Sequence, residues 1–191
     1  YKRQLRPYVS LVEKLGKMYT QLHPGPLRRF DLTCLGDIAD LDMRPLRAAL
    51  IKGLLESVSE ARVNLVNADL LAKQWGLEIA EHHSTTSPGP YVNLIALRAS
   101  SDPDDSSLAG SVSWGAERIV RVDHYTTDFA PQGAILFCRN NDRPGMIGKV
   151  GTILGNADVN IAHMDVGPLV RGGTPRGEAL MVLNLDSPAP D

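Results

Sequence analysis

Asn140-Asn141-Asp142-Arg143-Pro144-Gly145 runs straight into Met146, Ile147, Val150, Ile153, Leu154 and Ala157, and then into Val159-Asn160-Ile161. This stretch constrains the fold most tightly. The apolar positions follow helical spacing and give one buried face. Before them, Ile135, Leu136 and Phe137 form a short apolar run suited to a buried strand. Asp142 stands where a carboxylate accepts orphan backbone N–H groups, and Pro144 suits the first helical position because it has no N–H to lose. Gly145 and Gly148 leave the first turn bare, so a ligand can approach the backbone. Asn156 or Asp158 closes the helix. The reading is strand, polar turn, helix, strand, with a site for a small anionic ligand at the turn.

Elsewhere, periodicity separates a helical first half from a strand-rich middle. Leu5, Val9, Val12, Leu15, Tyr19 and Leu22 predict a helix to about His23, ended by Pro24-Gly25-Pro26. Phe30, Leu32 and Cys34 alternate as a strand. Asp42 is placed to cap a second helix carrying Leu46, Ala49, Leu50 and Leu54. Asn67 is placed to cap a third through Trp75, with Gly76 at its C-terminal cap. Strands follow at Leu77–His82, Tyr91–Ala99, Leu108–Ser113, Arg118–Asp123 and Tyr125–Phe129. The polar segments Thr85–Pro90 and Ser100–Ser107 connect them. Pro131-Gln132-Gly133 reads as a boundary and hinge. Beyond it come strand Ala134–Arg139, helix Pro144–Ala157, strands Val159–Val166 and Glu178–Leu185, and a mobile hairpin tip at Pro168–Gly177.

The chain has 191 residues, 43% hydrophobic and 22% charged, with net charge −2. That is enough for one large or two small cores and gives no general pull toward nucleic acid or anionic membrane. No apolar run approaches the roughly 20 residues of a membrane span. Cys34 and Cys138 lie in predicted strands and read as two buried thiols in a reducing compartment. The chain opens on Tyr1 and not Met, so an N-terminus with any targeting segment is expected to precede it.

Asp142-Arg-Pro-Gly145, Gly151-Thr-Ile-Leu-Gly155 and Val159-Asn-Ile161 resemble an ACT domain, a small amino-acid-binding module. Five further segments resemble the C-terminal region of long-form D-3-phosphoglycerate dehydrogenases. They are Tyr8–Gly16, Lys52-Gly-Leu-Leu-Glu56, Val63-Asn-Leu-Val-Asn-Ala68, Ala72-Lys-Gln74 and Arg118–Asp123. The resemblance covers essentially the whole chain in the family's order. It implies an α+β chain: a mixed α/β allosteric substrate-binding domain over residues 1–132, then a ferredoxin-like βαββ(αβ) ACT domain over residues 133–191 lacking its last helix and strand. It also implies a parent enzyme using NAD to oxidise 3-phosphoglycerate, the entry step of serine biosynthesis. The catalytic and cofactor-binding domains would lie N-terminal to this region, leaving it without catalytic residue, metal or cofactor of its own.

The same resemblance implies L-serine or a related amino acid as effector, held by Asn140, Asp142, Gly145, Met146 and Ile147. Asn160 would come from the neighbouring copy in a homodimer or homotetramer. Asn140 stands where relatives often carry His or Tyr, which leaves the identity of the amino acid open. On residue chemistry alone, a capping Asp142 and a turn-satisfying Asn160 are the simpler account. The resemblance reverses that preference. A second candidate is an anion site drawn from Arg44, Lys52, Lys73, Arg118 and Arg121, each of which read singly is a solvated surface charge. Arg118 and Arg121 face opposite sides of a regular strand unless a bulge intervenes.

Other patterns carry no chemistry. Gly148, Gly151 and Gly155 form neither GxGxxG nor a Walker A loop and are expected to allow close packing. His82 and His83 point to opposite faces of one strand and do not form a metal site with His124. Two other readings stay open: a ligand-free oligomerisation scaffold, and a regulatory piece of an iron–sulphur serine dehydratase. Two cysteines 104 positions apart do not supply the latter's cluster. The resemblance leaves the compartment as cytoplasm or plastid stroma.

Overall fold

The computed structural model describes residues 2–86, 89–100, 106–168 and 177–189. The expected hairpin tip at Pro168–Gly177 lies almost wholly outside these residues. Internal compactness divides the chain into two units, Tyr1–Arg118 and Ile119–Asp191.

The first unit opens with helix α1 (Lys2–Leu22), strand β1 (Arg29–Gly36) and a 3-10 turn (Asp37–Asp40). Helices α2 (Arg44–Leu55) and α3 (Ala68–Trp75) follow, then strands β2 (Glu78–Ser84), β3 (Asn93–Ala99), β4 (Ser107–Ser113) and β5 (Ala116–Val122). The unit boundary falls inside β5. Within the first unit the strand order is β2-β1-β3-β4-β5, and β6 (Tyr125–Phe129) belongs to the second unit, where it pairs with the end of β5. β1 and β2 run parallel, joined by the helical crossover, while β1 and β3 are antiparallel. Along β1, Phe30, Leu32 and Cys34 are buried.

α1 meets α2 through two glycines. A Cβ on Gly53 would sit 2.1 Å from the Glu13 carbonyl oxygen, and one on Gly16 would sit 2.9 Å from the Leu50 carbonyl oxygen. The backbones therefore touch, and Leu11, Val12, Leu15, Leu46, Leu50 and Leu54 close the core around them. Ion pairs rim the contact: Lys52 to Glu13 at 2.8 Å, Lys17 to Glu13 at 3.0 Å and Lys17 to Glu56 at 2.7 Å. Burial pushes the Glu13 carboxyl up, but hydrogen bonds from Lys52 and Lys17 outweigh it and hold the group below the usual value. Both ends of the buried Asn93 amide are engaged: its oxygen accepts from the Ile38 N–H at 3.0 Å and its nitrogen donates to the Tyr8 hydroxyl at 2.8 Å.

The caps differ in detail from the sequence expectation. Asp42 accepts the Arg44 N–H at 3.1 Å, one residue ahead of the α2 cap position, Met43. Asn67 holds the α3 cap position, but its side-chain oxygen takes the Asn64 N–H at 2.8 Å. It closes the preceding loop and not the helix. Gly76 is left-handed, φ 66°, as a C-terminal cap requires.

The second unit contains β6, β7 (Ala134–Asn141), α4 (Met146–Asn156), β8 (Ile161–Pro168) and β9 (Glu178–Leu185). Its three-stranded antiparallel sheet has the order β7-β9-β8. Among the described residues after Leu185 there is no further helix or strand.

The sheet has two differently used faces. On one, Leu136, Cys138, Met181, Leu183 and Leu185 pack with Leu154 and Val150 of α4. Strand alternation sends Phe137, Arg139, Asn184 and Glu178 to the other face. There they meet β6 and its flanks. Phe137 packs edge-on to Phe129 at 5.8 Å, and Asn184 donates to the carbonyls of Ala130 at 2.9 Å and Gln132 at 3.1 Å. The expected hinge at 131–133 is thus tied to β9.

Candidate functional site at the head of helix α4

Two corrections apply to the turn. The helix begins at Met146 with Gly145 as its cap, φ 89°, and no side-chain hydrogen bond caps it. Asp142 is therefore not the helix cap. It lies exposed ahead of the helix, and its backbone N–H donates to the Gly177 carbonyl at 3.2 Å. Gly145 takes this role because a left-handed cap carries no Cβ penalty in glycine. The helix's buried face is also narrower than its spacing predicts. Leu154 alone is fully buried, Met146 and Val150 are partly so, and Ile147 and Ile153 are 50% and 58% exposed.

Around this helix head the fold leaves polar capacity unused. The Asn140 side-chain amide donates to the Asn141 carbonyl at 3.0 Å, while its oxygen is buried with no hydrogen-bond partner among the described residues. A buried acceptor without a donor is costly. A Cβ on Gly145, Gly148, Gly151 or Gly155 would meet nothing within 4 Å among the described residues. The α4 glycines are thus an open strip and not the close-packing positions expected of them. Asn140, Asp142, Gly145, Met146 and Ile147 gather at one end of the sheet, since Asn140 pairs with Ala179 and Asn141 with Glu178.

Asn160 lies at the other end. Its N–H donates to the Asp186 carboxylate at 3.2 Å, and the Asp186 N–H donates back to its carbonyl at 3.2 Å. Ile161 pairs with Leu185. The length of β9 separates the two ends, about 23 Å at 3.3 Å per residue. One chain does not bring Asn160 to the turn.

The candidate anion residues are not gathered either. Lys52 is engaged by Glu13, and Arg44 is chelated by Asp42 at 2.7 Å. Lys73 is exposed on α3. Arg118 and Arg121 lie on β5, whose register against β6 shifts between Ile119 and Arg121. Strict alternation therefore does not fix their faces. His82 contacts the Asp31 carboxylate at 3.3 Å. Cys34 is buried, and burial pushes its thiol up to about 12, whereas Cys138 is only half-buried. No described helix is long and apolar enough to cross a membrane.

Sequence reasoning missed Asp123, Tyr125, Asp165 and Glu178. Arg139 donates to Asp123 at 2.9 Å, the Tyr125 hydroxyl donates to Glu178 at 3.2 Å, and the Asp128 N–H donates to Asp165 at 2.9 Å. The one available signal was the alternation of Tyr125, Thr127 and Phe129, all three of which are buried.

The second unit is thus a strand, a helix and two strands in the order β7-β9-β8 with an open helix head, and the first is a mixed α/β unit. The comparisons give both parts a family. The model of the D-3-phosphoglycerate dehydrogenase intervening domain matches residues 4–123, and the ACT domain model matches residues 134–190. The chain belongs to the D-3-phosphoglycerate dehydrogenase family, as an intervening domain followed by an ACT domain. It is 39% identical over 190 residues to a D-3-phosphoglycerate dehydrogenase of Synechocystis sp., covering 98% of this chain and 33% of that protein. It is 37% identical over 188 residues to that of Methanocaldococcus jannaschii, covering 98% and 35%. It is 37% identical over 199 residues to D-3-phosphoglycerate dehydrogenase 2, chloroplastic, of Arabidopsis thaliana, covering 96% and 31%. The chain spans about a third of the length of the curated relatives it matches.

Proposed function

We propose that this chain is the regulatory region of an NAD-dependent D-3-phosphoglycerate dehydrogenase. In this reading the head of α4 binds L-serine, or a closely related amino acid, where two copies meet. The carrying observation is the buried Asn140 oxygen, without a hydrogen-bond partner among the described residues, two positions before an Asp142 whose carboxylate caps no helix. The ligand's carboxylate would take the free N–H groups of the first turn. Its ammonium would take Asp142 and the Asn140 oxygen, both acceptors. Asn160 would complete the site from a second copy, because in its own chain it is a strand-length away. The exposed Ile147, beside the open glycine strip, gives that second copy an apolar surface to cover.

Binding would shift N-terminal catalytic domains between two states, which takes a coupling of about 1–3 kcal/mol. NAD and 3-phosphoglycerate would bind those domains and not this region. The boundary near residues 132–133 and a compartment in cytoplasm or plastid stroma belong to the same reading. The test is calorimetric titration with L-serine, with glycine and D-serine as controls. Saturable heat from L-serine, abolished by Asp142→Ala, is expected. Absence of both heat and a melting shift at millimolar L-serine leaves an oligomerisation scaffold in its place.

A further inference from the structure

The ACT sheet carries its candidate effector site on one face and β6 on the other, and the two meet at the same strand ends. Asn140 shares the α4 face with Cys138 and Leu136. Arg139, one residue earlier, points to the opposite face and donates to Asp123 at 2.9 Å. Glu178 pairs across from Asn141 on that same opposite face and accepts from the Tyr125 hydroxyl at 3.2 Å. The Asp142 N–H meanwhile donates to the Gly177 carbonyl, next to Glu178. Residues 139 to 142 thus run consecutively from the end of β7 into the effector turn. Their partners on the β9 side are Leu180, Ala179, Glu178 and Gly177.

β6 has little freedom to ignore these contacts. Tyr125 is buried, and Asp123 is 8% exposed with a left-handed backbone, φ 51°, in the tight turn that joins β5 to β6. Farther along, a Cβ on Gly167 of β8 would lie 2.2 Å from the Thr126 carbonyl oxygen. The Asp128 N–H donates to Asp165, also on β8. β6 in turn pairs with β5, Val122 with Tyr125 and Arg121 with Thr126.

We infer that Asp123 and Tyr125 are the residues through which occupancy of the α4 turn is read. A ligand drawing on Asn140 and Asp142 tilts the end of β7, and the pleat passes that tilt to Arg139 and Glu178 on the far face. Their hold on Asp123 and Tyr125 changes, and with it the seating of β6 on the sheet. This rests on the effector reading above. Asp123 and Tyr125 touch no ligand; they are positioning residues, and linkage makes the effect reciprocal. Whatever the ligand does to β6, loosening β6 must do to the ligand's affinity.

The experiment is amide hydrogen exchange across residues 123–130 of the whole chain, with and without saturating L-serine, in wild type, Tyr125→Phe and Asp123→Asn. Tyr125→Phe keeps the buried ring and removes only the hydroxyl. Exchange in β6 is expected to change on L-serine binding, and the L-serine Kd is expected to shift by about fivefold or more in Tyr125→Phe. Unchanged β6 exchange, with an unchanged Kd in both variants, overturns the inference while leaving the effector site standing. If L-serine does not bind wild type at all, the effector reading falls separately, and the inference is judged on Asp142→Ala. Altered β6 exchange in that variant supports the link across the sheet, and identical exchange refutes it.

Discussion

Gly53→Ala should destabilise the chain although alanine is the better helix former. A Cβ at position 53 would lie 2.1 Å from the Glu13 carbonyl oxygen and 3.0 Å from its carbonyl carbon, both backbone atoms that cannot rotate away. An ordinary carbon–oxygen contact needs about 3.3 Å. α1 and α2 must therefore part by about 1.2 Å at their closest point, which loosens Leu50, Leu54 and Leu15 as well. Overpacking of this kind costs about 1–3 kcal/mol, against a propensity gain of about 1 kcal/mol. The expected net effect is a loss of up to about 2 kcal/mol. Gly148→Ala in α4 is the matched control: its Cβ meets nothing within 4 Å, so the same substitution should stabilise by about 0.5–1 kcal/mol. Urea unfolding followed by circular dichroism compares the midpoints. Each unit's transition is fitted separately where they resolve, because a two-unit chain need not unfold in one step. If Gly53→Ala is as stable as wild type, the backbone contact between α1 and α2 is not as close as described. If both variants shift in the same direction, burial at these glycines does not decide the sign.

The two thiols should differ in reactivity. With the Cys34 thiol pushed up to about 12, only about one molecule in ten thousand carries its thiolate at pH 8, so an aromatic disulfide reagent should label one cysteine per native chain, Cys138, and both after denaturation. Equal native labelling rates would contradict the burial of Cys34. Stability should also fall with acid. Glu13 has a folded pKa below its ordinary value of 4.5, so its contribution is present above that value and is lost as pH falls through the folded pKa. Denaturant midpoints measured from about pH 5 downward should drop less steeply in Glu13→Gln than in wild type. Parallel curves would mean that the Lys52 and Lys17 contacts contribute nothing.

Much of this fold is legible in the sequence because each element buries one face. The alternation of Phe30, Leu32 and Cys34 and the spacing of Val12, Leu15, Leu46 and Leu50 state which side is inward. What sequence does not state is what covers a face. Ile147 and Ile153 keep helical spacing with buried Leu154 yet stay exposed, because periodicity marks an apolar stripe and not its partner. Glycine is ambiguous for the same reason: Gly53 is jammed against backbone and Gly148 is open, though both sit inside helices. Side-chain caps failed where a competitor was closer. Asn67 serves Asn64, and Gly145 takes the cap from Asp142. The candidate site from 140 to 147 was readable because it is contiguous. The seating of β6 joins residues 16 to 54 positions apart and leaves no local pattern.

The central claim is a ligand site shared between two copies, and mixing two defective chains tests it most directly. Asp142→Ala and Asn160→Ala chains are titrated with L-serine separately, then after being unfolded and refolded together. Neither alone should bind. Random pairing should put the two variants together in about half of the dimers, each with one intact site, so heat should return at about one site per four chains. No recovered binding in the mixture, or full binding by the Asn160→Ala chain alone, would contradict the account.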